Sequence, residues 1–209
     1  MQVPGVRLAS IFLLQYDFKT DDTGTTVNKL LQMTAGAGLL AAASAASAVD
    51  GASFEYGASD SSNVDVNLYR VALQWDWHKH WLDTGNWSLG GYWDLSAAYW
   101  DNNSTPRDNS GLADVGFTPV FHFGQDNPSG LSPYVELAVG IHFLSATSIN
   151  SQRQFGSSFQ FGDRIGAGLR FGGRGEYDLG YSYQHESNAG FKEPNQGINF
   201  HQIRLMYRF

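Results

Sequence analysis

From residue 52 onward the chain alternates between apolar and polar positions. Ile203, Leu205, Tyr207 and Phe209 share one parity, while Gln202, Arg204 and Arg208 share the other. Tyr177, Leu179, Tyr181 and Tyr183 likewise interleave with Glu176, Asp178, Gly180, Ser182 and Gln184. A period of two sends successive side chains to opposite faces of a strand. The pattern predicts eight strands, near 53–59, 64–77, 87–100, 112–124, 131–145, 157–171, 174–187 and 198–209. Clusters such as D-S-S-N, D-N-N-S-T-P-R-D-N-S-G, Q-D-N-P-S-G and G-G-R separate them, and such residues terminate strands. Several predicted strands run 12–15 residues, against about 5–6 in an ordinary soluble sheet. Long strands, even in number, with one apolar face, suit a small membrane barrel. A soluble sandwich or lipocalin-like barrel shares the alternation.

The N-terminal quarter tips the balance. Lys29 precedes L-L-Q-M-T-A-G-A-G-L-L-A-A-A-S-A-A-S-A, which ends in Ala46-Ser47-Ala48. A basic start, an apolar run and an A-x-A site are the parts of a secretory signal peptide. The run is short for a transmembrane helix, which needs about 20 apolar residues. Cleavage is expected after Ala48, with residues 27–48 as signal peptide and 49–209 as the barrel domain. Residues 1–26 fit no targeting pattern and are expected to be a mis-assigned extension upstream of a true start at Val27. Six Trp residues (Trp75, Trp77, Trp81, Trp87, Trp93 and Trp100) lie near strand ends, as in an aromatic girdle. The chain ends in Tyr-Arg-Phe, a terminal aromatic that resembles the assembly signal of bacterial outer-membrane proteins.

Composition narrows the function classes. The 209 residues include 24 Gly and no Cys, with 14% aromatics, 16% charged residues and a formal net charge of −7. Without Cys there are no disulfides and no thiolate metal sites. The acidic balance leaves no basic stripe for nucleic acid. Eight strands enclose a lumen that side chains fill, so a pore is not expected.

One stretch carries candidate chemistry: Y-S-Y-Q-H-E-S-N-A-G-F-K-E-P-N-Q-G-I-N, residues 181–199. His185 and Ser187 continue the odd, apolar row of Tyr177, Leu179, Tyr181 and Tyr183, so in a membrane barrel they face lipid. Asn199 shares the outward parity of Ile203 and Leu205. It stands ten residues before Phe209, and at roughly 3.3 Å per residue and about 40° tilt it rises about 25 Å above the periplasmic rim. Three polar groups therefore converge in the outer leaflet. Taken alone, a His-x-Ser pair at a strand end is weak evidence of catalysis, and polar residues at an interfacial rim cost little.

The segment H-E-S-N-A-G-F-K-E-P-N-Q-G-I-N resembles the active-site segment of the outer-membrane lipid A 3-O-deacylase (PagL) family. The likeness extends to L-Q-W-D-W-H-K-H-W, G-Y-W-D-L-S-A-A-Y-W and S-S-F-Q-F-G-D-R-I-G-A-G-L-R-F. It implies an eight-stranded barrel that hydrolyses the ester-linked acyl chain at the 3-position of lipid A. It also implies Ser187 as nucleophile, His185 as general base, and Gly190 with Asn195 as oxyanion donors. The family's third member is a carboxylate, where this chain has Asn199. An amide can still orient the base, as in Cys-His-Asn hydrolases, but it brings no charge. Asp163 is the alternative acid. Pairing through the Gly172-Gly173-Arg174 turn would bring it near Tyr183, one pleat from His185. Asn199 is preferred, and Glu186 has the wrong parity.

Other features weigh less. His78 and His80 sit in an expected turn without a ligand cluster, and His201 reads as an interfacial side chain. Lys192 and Arg153, in outward loops, are placed to meet lipid phosphates or simply solvent. The expectation is an all-β, eight-stranded antiparallel outer-membrane barrel of a Gram-negative bacterium, acting as a cofactor-free, metal-free serine esterase on lipid A in lipopolysaccharide. It is expected to be membrane-embedded, with no nucleic-acid partner, and a homodimer is compatible with the sequence. The alternative is a non-enzymatic outer-membrane protein, structural or adhesive, whose triad has decayed at Asn199.

Overall fold

The computed structural model describes residues 49–125 and 130–209; the expected signal peptide, its upstream extension and part of the 125–130 turn lie outside them. Eight long strands close into a barrel: β1 (Gly51–Ser59), β2 (Val66–Asp76), β3 (Trp87–Asn102), β4 (Gly111–Gln125), β5 (Ser132–Leu144), β8 (Phe159–Phe171), β9 (Tyr177–Ser187) and β10 (Ile198–Arg208). Two short strands, β6 (Ser148–Asn150) and β7 (Arg153–Gln154), form a separate hairpin in the β5–β8 connection that the alternation did not predict. Barrel neighbours follow the order β1-β10-β9-β8-β5-β4-β3-β2, each pair antiparallel, with β1 closing against β10. Closure leaves no barrel strand edge unpaired. Both ends of the barrel chain meet at one rim, where the Phe209 N–H donates to the Asp50 carbonyl at 3.0 Å. The connections 60–65, 103–110, 145–158 and 188–197 cluster at the opposite, distal rim.

The outward rows are apolar. Phe54, Val71, Leu95, Phe117, Leu137, Val139, Ile165, Leu179, Ile203 and Leu205 are each at least two-fifths exposed. A soluble protein would not present so continuous an apolar wall to water, whereas lipid demands it. Aromatic rings gather toward the terminal rim, where Trp77 packs edge-on against Trp81, Trp93 and Phe121 and Trp93 stacks on Phe117.

Trp100 departs from the girdle expectation. It is fully buried inside the distal end, against Phe155 and Phe200. With Val66, Leu68, Leu112, Ile149 and Ile198 it forms an apolar plug beneath the distal rim. The lumen beneath it carries paired charges beside a second, smaller apolar cluster of Tyr92, Val120, Ala138 and Met206. Arg70 contacts Glu55, Glu186 and Asp114 at 3.2, 3.4 and 3.6 Å, and Arg164 reaches Glu55 at 3.3 Å. One layer nearer the termini, Arg204 meets Glu136 at 3.0 Å and the hydroxyls of Tyr92 and Tyr134 at 2.7 and 2.9 Å. Buried charges survive when paired and hydrogen-bonded. These layers make the lumen a packed core.

The β8–β9 hairpin corrects the expected register. Its turn spans 172–176, with Phe171 opposite Tyr177, rather than closing tightly over Gly172-Gly173-Arg174. Gly172 and Gly175 both take positive φ, and the Glu176 carboxylate accepts the Arg174 N–H at 2.8 Å. The longer turn shifts the pairing by two residues, so Asp163 faces His185 directly and Ile165 faces Tyr183.

Candidate active site

His185 and Ser187 occupy the outward row at the distal end of β9, both half-buried. The register of β9 with β10 sets Asn199 directly across from His185. Their side chains meet, with His185 Nδ1 2.6 Å from Asn199 Oδ1. Donation of the Nδ1 proton to that oxygen fixes the tautomer and leaves the Nε2 lone pair available as a base. Asn199 is itself held from the β1 side. Its N–H donates to Ser61 Oγ at 3.0 Å, and its carbonyl accepts the Asp60 N–H at 2.9 Å.

On the other flank Asp163 stands opposite His185 in β8, exposed on the same face. Register therefore brings it closer than the sequence suggested, but the ring's hydrogen bond goes to Asn199. Phe161 lies opposite Ser187 and packs against Phe191 of the next loop, with ring centroids 5.9 Å apart. The Ser187 hydroxyl makes no hydrogen bond among the described residues. Catalytic hydrogen bonds commonly tighten only when substrate arrives.

The β9–β10 loop is built around Asn188, which sequence reasoning missed. Continuing the inward row of Gln184 and Glu186, it is fully buried. Its Oδ1 accepts the Gly190 N–H at 3.0 Å and its Nδ2 donates to the Lys192 carbonyl at 2.7 Å. Its own N–H donates to Asn195 Oδ1 at 3.0 Å. That last bond directs the Asn195 carboxamide so that its NH2 end is free to donate. The Gly190 N–H, by contrast, is occupied by Asn188 in this state.

Gly197 was also overlooked. Its φ is +61°, and a Cβ there would lie 2.8 Å from His185 Cε1 and 3.2 Å from Nε2. Only a residue without a side chain fits against the ring. A positive φ at the residue just before a strand is the sort of signal that G-I-N carries, but its contact with His185 arises across the hairpin.

The remaining candidates separate clearly. His201 accepts the Tyr181 hydroxyl at Nδ1, at 2.5 Å, and pairs through Nε2 with Asp60 at 3.2 Å. His80 bonds Ser88 at 3.0 Å in the β2–β3 turn. The partly exposed Arg153 guanidinium donates to backbone carbonyls of two neighbouring loops. Among the described residues, Asp114, His142 and Glu186 offer ligand atoms within 4.8 Å of one another. The Arg70 guanidinium already supplies the cation there, 3.4 Å from Glu186 and 3.6 Å from Asp114.

A closed eight-stranded barrel with an apolar outer wall, a serine and an oriented imidazole on that wall and a carboxamide in the adjoining loop defines a membrane-barrel protein with a hydrolase-like site. Residues 67–208 match the lipid A 3-O-deacylase (PagL) family profile. The chain belongs to that family. It is 35% identical over 177 residues to the lipid A deacylase PagL of Pseudomonas aeruginosa, covering 85% of this chain and 96% of that protein. It is 33% identical over 164 residues to the lipid A deacylase PagL of Bordetella bronchiseptica, covering 76% and 83%. The crystal structure of the outer membrane enzyme PagL superposes with a TM-score of 0.67 at 33% identity, covering 76% of this chain and 99% of that one.

Proposed function

We propose that this protein is a lipid A 3-O-deacylase of the outer membrane, with Ser187 as nucleophile and His185 as general base. The observation that carries the reading is the 2.6 Å contact between His185 and Asn199, on the lipid-facing wall beside Ser187. A site on that wall meets an acyl ester without extracting the lipid from its leaflet. Export through a signal peptide at 27–48 would deliver the barrel to the membrane.

The mechanism is acyl transfer. His185 Nε2 accepts the Ser187 proton as Oγ attacks the ester carbonyl. The tetrahedral oxyanion is met by the Asn195 NH2 group, already oriented by Asn188. Gly190 supplies the second donor once its N–H turns from Asn188 Oδ1. The imidazolium then protonates the departing sugar oxygen, leaving an acyl-Ser187 ester. Water, deprotonated by His185, attacks that ester and releases a fatty acid. Asn199 orients the ring throughout as a neutral acceptor.

Mass spectrometry of lipid A from cells with and without the protein tests the reading. Loss of one 3-linked acyl chain is expected with the wild type and not with Ser187→Ala. Unchanged lipid A from a folded wild-type barrel would instead support a non-enzymatic outer-membrane role.

A further inference from the structure

The loop bearing Asn195 and Gly197 has no regular secondary structure of its own to hold it. It leans on the hairpin of β6 and β7. Three backbone carbonyls from two different loops converge on one side chain there. Arg153 Nη1 donates to the Gln196 carbonyl at 2.8 Å and to the Gly197 carbonyl at 2.6 Å. Its Nη2 donates to the Ser62 carbonyl at 3.0 Å in the β1–β2 connection. A planar guanidinium presents several donors in a fixed fork, so it ties the three carbonyls together in one geometry.

The seam continues beside it. The Gln154 N–H donates to Gln196 Oε1 at 3.0 Å, and Phe155 bridges the backbone of Asn195. The hairpin itself is fixed to the barrel, because Phe155 and Ile149 are buried in the distal apolar plug. A rigid support therefore lies directly behind the two residues that shape the site. Asn195 carries the carboxamide donor, and Gly197 lies against the His185 ring. The Ser62 end of the fork reaches the connection whose Ser61 hydroxyl accepts the Asn199 N–H.

From this geometry we infer that Arg153 is a positioning residue for the deacylation reaction. It clamps the β9–β10 loop to the β6–β7 hairpin and the β1–β2 connection, and so keeps Asn195, Gly197 and Asn199 in register with His185. It does not touch substrate. The inference rests on the proposed deacylase reading for its kinetic consequence, but the clamp itself is a physical feature that can be measured apart from activity.

The test compares wild type, Arg153→Ala and Arg153→Lys as refolded, full-length barrels in detergent, with lipid A as substrate. A misplacement on the scale of an ångström costs about 10²-fold in rate. Arg153→Ala is therefore expected to lose about 10²-fold in kcat with KM changed little. Labelling of Ser187 by a fluorophosphonate should slow in parallel. Arg153→Lys, which keeps a cationic donor on a long stem, should recover part of the loss. Wild-type kcat and labelling in Arg153→Ala would overturn the clamp.

If Arg153→Ala does not reach the compact barrel form, Arg153→Lys decides, since a single ammonium cannot fork across the three carbonyls as the guanidinium does. A several-fold loss of kcat is expected, and no loss would overturn the inference. Amide hydrogen exchange across 188–197 is read in the same samples. Faster exchange in the Arg153 variants supports the clamp even if wild type releases no acyl chain, an outcome that would sink only the deacylase reading. Unchanged exchange would remove the clamp whatever the activity.

Discussion

His185 Nδ1 lies 2.6 Å from Asn199 Oδ1, across a single register pair of β9 and β10. The contact orients the base but adds no negative charge. Asn199→Leu should lower kcat by about 10²-fold, because the ring loses its fixed tautomer. Asn199→Asp keeps the shape and restores a carboxylate, so kcat should rise by about tenfold or more. Asp163→Asn, which removes a charge but no hydrogen bond to the ring, should change kcat less than Asn199→Leu. Steady-state kinetics on purified lipid A reads all three. A larger loss in Asp163→Asn would reverse the order of the two candidates.

Gly197→Ala should leave a folded barrel with little activity. The new Cβ would press on the His185 ring from 2.8 Å, and the positive φ adds about 1–2 kcal/mol of local strain. The expected loss in kcat is about 10²-fold. Migration of the unheated protein on a denaturing gel reports the fold, and lipid A turnover reports the site.

Arg70→Met should destabilise the barrel rather than the chemistry alone. Glu55, Asp114 and Glu186 would lose the cation they share at 3.2–3.6 Å, and breaking a buried ion pair costs about 3–5 kcal/mol. Urea titration of the compact form in lipid or detergent measures the change. An unchanged midpoint would show that the three carboxylates are held by other groups.

Trp100→Ala and Trp93→Ala should differ sharply. Trp100 is wholly enclosed by the distal plug, and its loss should cost about 3–5 kcal/mol. Trp93 is 42% exposed on the outer wall, where lipid replaces much of what is removed, so its cost should be clearly smaller. The same urea titration, followed by the remaining Trp fluorescence, separates them.

The sequence alone determined the number of barrel strands, the parity of each row and therefore the wall on which His185, Ser187 and Asn199 stand. Those follow from a backbone period of two, which any reader of the chain can apply. Parity alone also placed Glu186 inside, where it is fully buried. What lay beyond it was decided by register and loop packing. A two-residue difference in the β8–β9 turn moved Asp163 from beside Tyr183 to opposite His185. Trp100 turned from a presumed girdle residue into the centre of the distal plug, since parity says which face a ring takes but not whether the lumen there is polar or filled. Gly197 and Arg153 acquired their roles from contacts between segments from twelve to about ninety positions apart in the chain. Such contacts have no local period, so only the tertiary structure could assemble them.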